Sequence, residues 1–228
     1  MAERRADGPR ATLARVLLAG DSLAAARALI GARLVRDPAP EARAGDPLAA
    51  RRVGRIVEVE AYIGVEDRAS HARMGPTARN RVMFGPPGIA YVYLVYGMHH
   101  CLNVVTGPDG RAAALLIRAV EPLEGIEAMR AARRAVARHR PPGEAAAARL
   151  AAGPGLVGAA FSVDRSLTGL DLCAAGSPLR LEPAPGDEPA PDVVTTPRIG
   201  IAYAGEPWIS RPWRLLDPSS PSVSGPRP

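Results

Sequence analysis

The sequence predicts an α+β fold organised as a single compact domain. At 228 residues, of which 47% are hydrophobic, the chain is long enough to bury a substantial core and close to the usual size of one domain. Segments with β-branched residues and period-two alternation are separated along the chain, and helical periodicity appears both before and between them. A sheet assembled from non-adjacent segments and covered by helices accounts for this order.

The first predicted elements are a helix and a short strand. Asp21 or Ser22 is placed to cap a helix, whose apolar positions run from residue 23 to residue 30. Gly31 is placed to end it, and a strand is predicted over residues 33–36.

Three further strands form the centre of the predicted sheet, over residues 54–62, 91–96 and 113–118. In the first of these, strict alternation places Glu58, Glu60 and Tyr62 on one face. These three polar side chains therefore share one side of the sheet.

The second half of the chain predicts a helix after Pro122, with apolar residues on one side. The apolar side consists of Leu123, Ile126, Met129 and Ala132, and the other sides carry Arg130, Arg133, Arg134 and Arg138. The run from 156 to 161 follows a Gly-Pro-Gly turn, which is either a plain loop or the N-terminus of a helix. After a proline-rich stretch, residues 198–204 are predicted as a strand.

The two ends of the chain differ from its middle in composition. Residues 1–20 are predicted to form a flexible N-terminal segment, and residues 218–228 a flexible tail rich in Pro and Ser. The folded domain is predicted to span residues 21–217.

Composition narrows the class of partner and the compartment. The net charge of +6 and the pI near 10.1 favour a polyanionic partner such as nucleic acid, although the arginines of the helix after Pro122 are more typical of a solvated face. No apolar run approaches the roughly 20 residues of a membrane span, so no membrane association is predicted. Cys101 and Cys173 form neither a disulfide framework nor a zinc ribbon, which favours a reducing cytoplasm.

Tyrosines are concentrated in one central stretch. Aromatic residues make up only 4% of the chain, yet four of its five tyrosines are Tyr62, Tyr91, Tyr93 and Tyr96. Alternation places Tyr91 and Tyr93 on one strand face and Tyr96 on the other, just before Gly97. Such tyrosines either stack on a nucleic-acid base and wedge into its helix, or fill an ordinary core.

Two ionisable side chains stand near these tyrosines. Glu60 lies between Val59 and Ala61, and partial burial of that kind raises a carboxylate's basicity toward water, although a surface ion pair is an equal alternative. His71 is a candidate hydrogen-bonding group or a structural residue. No metal site is predicted from His71, His99, His100 and Cys101, because adjacent histidines on an extended chain point apart.

Long segments of the chain resemble the alkyladenine (3-methyladenine) DNA glycosylase family, also called methylpurine-DNA glycosylase. They are GRIVEVEAYIGVEDRASHARMGPTARNRVMFGPPGIAYVYLVYGMHHCLNVV at 54–105 and LLIRAVEPLEGIEAMRAAR at 115–133. The resemblance continues through AAGPG at 151–155, DL at 171–172, PRIGIAYAGEPW at 197–208 and SPSVS at 220–224. It implies a curved, mostly antiparallel sheet with surrounding helices and a protruding hairpin that inserts into DNA.

The resemblance also implies a role for each matching residue. Glu60 would activate the attacking water, and Arg118 would help to hold that water or the nucleotide's phosphate. The residues implied to bind the extruded base are Tyr62, His71, Tyr93 and Asn103. Those implied to enter the DNA stack are Tyr96 and Met98.

The implied activity is excision of damaged purines from double-stranded DNA by a cytoplasmic, nucleoid-associated monomer without a cofactor. The implied substrates are 3-methyladenine and 7-methylguanine, with hypoxanthine and ethenoadenine as further candidates. The sequence contains no lysine, so the Schiff base that usually accompanies strand cleavage is not expected unless the N-terminal amine forms it, and the enzyme is predicted to be monofunctional. Two alternatives stay open: a nucleic-acid-binding module without chemistry, and a hydrolase of small nucleosides.

Overall fold

The computed structural model describes residues 12–38, 43, 45–46, 49–137 and 145–226, and it is built around one antiparallel sheet. The strands are β1 (Arg33–Arg36), β2 (Arg52–Ile63), β3 (Ala90–Val95), β4 (His99–Val105), β5 (Ala113–Glu124), β6 (Leu179–Glu182), β7 (Val194–Thr196) and β8 (Arg214–Leu216). The helices are α1 (Val16–Ala19), α2 (Ser22–Leu29), α3 (Ile126–Val136) and α4 (Pro154–Ala160). The predicted α+β class and the single curled antiparallel sheet are confirmed.

The long strand β2 organises the sheet. Its partner along one edge is β5, while β1 pairs with residues 52–55 and β8 with residues 58–60 along the other edge. The main order of strands is β3-β4-β5-β2-β1-β6, and β7 pairs with β8. The strand predicted at 33–36 has the bounds of β1, and the one predicted at 54–62 lies within β2.

The pairing of β2 with β5 is irregular where the site lies. Glu58 is opposite Ala119 and Val59 is opposite Ile117, so Arg118 has no partner residue in the register. A residue left over in this way bulges, and its side chain is re-aimed relative to a regular strand. The bulge brings Arg118 to the carboxylates of β2.

Capping residues account for the helix starts. The Asp21 carboxylate accepts hydrogen bonds from the backbone N–H groups of Leu23 and Ala24, at 3.0 and 2.8 Å, which confirms the predicted cap of α2. The run after the Gly-Pro-Gly turn is helical, since α4 begins at Pro154, a residue suited to a first helical position.

Several predicted bounds were wrong. Leu123 belongs to β5 and not to the next helix, because the chain bends at Gly125, which has φ 75°. Tyr96 lies in the turn after β3, with φ 51°. Arg138, assigned to the arginine-rich face, lies outside the described residues, and the strands β4, β6, β7 and β8 were not predicted.

Residues 198–204, predicted as a strand, are a loop and a short 3-10 helix over Ala202–Ala204. Gly200 has φ 77°, which a strand does not accommodate, and the backbone N–H of Ile199 donates to a side chain rather than to a neighbouring strand. The strand prediction therefore failed because the side chains of Glu60 and Asp67 bind this segment in place of a neighbouring strand.

The two ends of the described chain pack on the domain. Leu13 and Leu18 are buried, and the N–H of Leu13 donates to the carbonyl of Leu181 at 2.9 Å. At the other end, Ser220, Ser222 and Ser224 are buried. Residues 1–11 and 227–228 lie outside the described residues, and the predicted bounds 1–20, 21–217 and 218–228 stay predictions. Across the described part of the chain, no helix is both long and apolar enough to cross a membrane.

Candidate active site

Glu60 is the centre of the candidate site. It lies in β2 without accessible surface, and its carboxylate accepts two hydrogen bonds and forms an ion pair with Arg118. The Ile199 N–H and the Arg118 guanidinium approach Oε1 at 2.7 and 3.2 Å, and the Tyr62 hydroxyl donates to Oε2 at 2.9 Å. The carboxylate is thus buried, charge-paired and fixed in orientation, which excludes the alternative of a surface ion pair.

Arg118 divides its guanidinium between two buried carboxylates. Its Nε donates to Glu58 Oε1 at 2.9 Å, its second arm faces Glu60, and its third donates to the Ser224 hydroxyl at 3.3 Å. Burial alone would lower the pKa of Arg118, but the negative charges of Glu60 and Glu58 outweigh that effect and raise the pKa above its ordinary value. Arg118 is therefore a permanently charged clamp beside Glu60.

Glu58 is held from the C-terminal part of the chain. Its Oε1 also accepts from Arg214 Nε at 2.6 Å, and its Oε2 accepts from the Ser224 N–H at 2.6 Å. Arg214 in turn donates to the carbonyl of Ser224 at 2.7 Å. Both carboxylate oxygens of Glu58 are thus engaged in hydrogen bonds, and its bond to Arg118 orients that side chain toward Glu60.

Three aromatic rings pack together, two of them on β3 and the third, His71, in the loop that follows β2. The rings of His71 and Tyr93 meet edge-on with centroids 4.5 Å apart, Tyr91 lies 5.7 Å from Tyr93, and the Tyr91 hydroxyl is 3.0 Å from His71 Nδ1. Tyr91 and Tyr93 share one side of β3, as predicted. Tyr91 is fully buried, whereas Tyr93 is half-buried.

The charge states of these rings follow from their surroundings. Desolvation, together with the nearby charges of Arg79 and Arg73, lowers the pKa of His71 to about 4, so its ring is neutral at pH 7. Burial, followed by the charge of Glu60 and the neighbouring Tyr93, raises the pKa of Tyr62 well above its usual value. Burial likewise raises the pKa of Tyr93. The rings therefore form a neutral, aromatic lining.

A buried arginine supports Tyr62 from behind. The guanidinium carbon of Arg198 lies 4.7 Å from the centre of the Tyr62 ring and 5.0 Å from that of Trp213. Asp67 binds both arms of Arg198 at 2.6 and 3.0 Å, with neither side chain exposed. Because Arg198 precedes Ile199, this pair fixes both Tyr62 and the N–H that holds Glu60.

Asn103 lies buried on β4, opposite Tyr91. Its amide nitrogen donates to the carbonyls of Tyr91 and Cys101, at 2.9 and 3.3 Å. The side chain is thus locked in place next to the aromatic cluster.

Tyr96 and Met98 stand apart from the buried centre. They lie in the turn that joins β3 to β4, where 86% of Tyr96 and 63% of Met98 is exposed. The left-handed backbone of Tyr96 and the following Gly97, φ 67°, make the turn sharp. Two large apolar side chains are thereby exposed in the turn between β3, which carries Tyr93, and β4, which carries Asn103.

The predicted residues therefore fall into two groups: a cluster around the buried Glu60, Arg118 and Asn103, which extends through Tyr62 and Tyr93 to the exposed His71, and the exposed turn with Tyr96 and Met98. Sequence reasoning gave no role to Asp67, Arg198, Arg214 and Ser224, which hold the first group in place. An isolated arginine in the apolar run PRIGIA was the one available signal, for Arg198. Within the residues that the structure describes, no group of three or more His, Cys, Asp or Glu side chains is placed to hold a metal ion.

Sequence comparison assigns the chain to a class of enzyme. Residues 17–221 match the family described as methylpurine-DNA glycosylase (MPG). The chain is a DNA glycosylase of base-excision repair, and it belongs to the methylpurine-DNA glycosylase family. The predicted resemblance is confirmed.

Individual relatives agree with this assignment. The chain is 49% identical to a Methanocella arvoryzae protein over 204 residues, which cover 89% of this chain and 90% of the relative. It is 44% identical to a protein of Anaeromyxobacter dehalogenans strain 2CP-1, covering 95% of this chain and 87% of the relative. Both relatives are named "Putative 3-methyladenine DNA glycosylase".

Proposed function

We propose that this protein flips alkylated purines, above all 3-methyladenine and 7-methylguanine, out of duplex DNA and hydrolyses their N-glycosidic bond with a water activated by Glu60. The observation that carries the proposal is the buried Glu60 carboxylate, held by Arg118, Tyr62 and the Ile199 N–H. Hydrogen bonds from Tyr62 and Ile199 occupy two of its about four acceptor positions, so the carboxylate keeps acceptor capacity for a water.

The chemical step follows from this geometry. As the bond between C1′ and the base nitrogen breaks, its electron pair leaves with the base and positive charge develops on the sugar. The water oxygen bonds to C1′ while its proton passes to Glu60, and an abasic site is left. The negative charge of Glu60 also stabilises the cationic sugar, and Arg118 keeps the carboxylate in place.

The aromatic lining favours a cationic leaving base. We expect the extruded base to contact Tyr62, His71 and Tyr93, whose ring faces attract positive charge. His71 adds no repulsion, because its lowered pKa keeps it neutral at pH 7. A 3-methylated or 7-methylated purine carries such a charge and leaves as a neutral molecule, so it needs no general acid. We expect Asn103, whose amide donates to two backbone carbonyls, to exclude normal guanine by crowding its amino group.

The exposed turn supplies the means of extrusion. Tyr96 and Met98 are large, apolar and held in solvent, as a wedge that replaces a flipped base must be. We propose that Tyr96 fills the vacated stack and that Met98 presses on the flanking bases.

Strand cleavage is not part of the proposed activity. The chain has no lysine to form a Schiff base with the opened sugar, so abasic DNA is the expected final product. Incubation with borohydride should trap no covalent complex between the protein and abasic DNA.

The decisive experiment is single-turnover release of 3-methyladenine and hypoxanthine from duplex DNA by wild type, Glu60→Gln and Glu66→Gln. Glu60→Gln should release base at least about 100-fold more slowly than wild type, the usual minimum for loss of a general base, while binding an abasic-site analogue equally well. Glu66, an exposed carboxylate near the end of β2, is the matched control and should retain the wild-type rate.

If Glu60→Gln releases base at a rate within about threefold of that of wild type, Glu60 does not activate the water. If wild type itself binds the analogue but releases no base, the protein acts as a binding module.

A further inference from the structure

An arginine-rich cleft opens beside His71. It has a volume of about 420 Å³ and lies between the segment of residues 68–80 and Tyr203. Arg68, Arg73 and Arg79 line it, and no carboxylate does. The cleft therefore concentrates positive charge next to the proposed base pocket.

The charges of this cleft are not neutralised by the rest of the described chain. No ion pair joins any of the three arginines to a described carboxylate. The two nearest acidic residues in sequence are already engaged, because Glu66 faces Arg111 at 3.8 Å and Asp67 is bound by Arg198. A site with three guanidinium groups and no acidic partner is suited to an anion.

The three arginines differ in how they are held. Arg79 is tied to the aromatic cluster, with its guanidinium 5.7 Å from the Tyr93 ring centre. Arg73 donates to the carbonyl of Arg68 at 3.2 Å, which positions it without neutralising it. The guanidinium of Arg68 makes no hydrogen bond to any described residue, and all three arginines are exposed. Arg68 and Arg73 are thus free to bind a ligand.

The remaining lining suits a nucleic-acid strand. Met74 and Tyr203, 83% and 68% exposed, flank the charged floor with apolar surface. His71 belongs both to this cleft and to the aromatic cluster, so we expect the phosphates of a strand whose base enters the cluster to lie along the cleft.

We propose that this cleft binds the phosphodiester backbone of the damaged DNA strand, next to the extruded nucleotide, through Arg68 and Arg73. The proposal rests on the proposed function only for the position of the extruded base. Arg79 contacts both the cleft and the Tyr93 ring, and it thereby fixes the position of the cleft relative to the aromatic cluster.

The test is the salt dependence of binding, since each neutralised phosphate contributes about 0.9 to the slope of log Kd against log salt. Kd for a duplex with an abasic-site analogue is measured by fluorescence anisotropy between 50 and 200 mM NaCl. For Arg68→Gln/Arg73→Gln, we expect the slope to fall by about 0.9 if the pair neutralises one phosphate, and by about 1.8 if it neutralises two. Between 50 and 200 mM NaCl, the rise in Kd of the variant should then be smaller than the rise in Kd of wild type, by a factor of about 3.5 for one phosphate or about 12 for two.

Two further variants separate a site from a general loss of charge. Arg27→Gln/Arg134→Gln removes two exposed charges from α2 and α3, outside the cleft, and should keep the wild-type slope. Arg68→Lys/Arg73→Lys retains the charge and should restore most of the slope. Thermal melting verifies that every variant is folded.

An unchanged slope in Arg68→Gln/Arg73→Gln, or an equal fall in Arg27→Gln/Arg134→Gln, would overturn the proposal. The slope is independent of chemistry: if wild type releases no base but the slope falls as expected, the cleft stands and the proposed function fails.

Discussion

Replacing Asp67 by alanine should destabilise the protein by about 4 kcal/mol and slow base release. The change removes the carboxylate that binds both arms of Arg198 in a place where neither side chain is exposed. It also removes the acceptor for the Ala69 N–H, 3.0 Å away. Arg198 would keep the carbonyls of Ala61 and Trp208, at 2.9 and 3.4 Å.

The magnitude follows from these contacts. Removing one partner of a buried ion pair costs about 3–5 kcal/mol, because the other charge stays buried without compensation. The retained carbonyls and the faces of Tyr62 and Trp213 reduce that cost, while the orphaned Ala69 N–H adds about 1 kcal/mol or more. The sum is about 4 kcal/mol, equivalent to a fall in Tm of about 8–16 °C for a domain of this size.

Urea unfolding at pH 7 measures the loss, and Glu66→Ala is the matched control. Glu66 and Arg111 are 57% and 61% exposed and 3.8 Å apart, so that variant should lose at most about 1 kcal/mol. If Asp67→Ala also loses less than about 1 kcal/mol, the buried pair does not stabilise the fold and the reasoning fails. Single-turnover release by folded Asp67→Ala should be slower than that of wild type, because Arg198 then no longer fixes Ile199 and Tyr62.

Two further predictions concern stability. His71 has a pKa of about 4 in the folded protein against 6.5 when unfolded, so the unfolded chain binds the extra proton first as pH falls. The free energy of unfolding of wild type should therefore decrease as pH drops from 6.5 to 4, and that of His71→Gln should decrease less. Urea titrations over that range measure both, and an equal decrease in the two proteins would contradict the prediction. Gly158→Ala should lower the free energy of unfolding by about 1–3 kcal/mol in the same assay, because the added methyl group collides with the His100 carbonyl where α4 packs on β4. Gly176→Ala, which has open space around it, should leave the free energy of unfolding unchanged. Equal stability of the two variants would exclude the collision.

The central strand could be predicted because its side chains obey a simple period. Alternation over residues 54–62 places Glu58, Glu60 and Tyr62 on one face, and the structure joins all three in one hydrogen-bonded cluster through Arg118. The roles of the eight site residues came from the family resemblance, and they stay predictions.

The supporting contacts could not be predicted from local pattern. Arg118 reaches the carboxylates because of a bulge, which depends on the register of two strands more than 50 residues apart in sequence. β7 and β8 have three residues each, too few for a period to show. Residues 198–204 have the composition of a strand, but buried bonds from Asp67 and Glu60 fix them as a loop. Tertiary contacts decide each of these cases, and local propensity does not reveal them.

The bonds between Glu58 and the last strand bear on how the protein is made. Glu58 is synthesised early, yet two of its partners are Arg214 and Ser224, more than 150 residues later. A nascent chain in which residue 224 has not yet been synthesised therefore contains β2 and its glutamates without the bonds from Arg214 and Ser224 to Glu58. Because residues 214 and 224 are synthesised last, the contacts that fix Glu58, and through Arg118 also Glu60, are completed only near the end of synthesis.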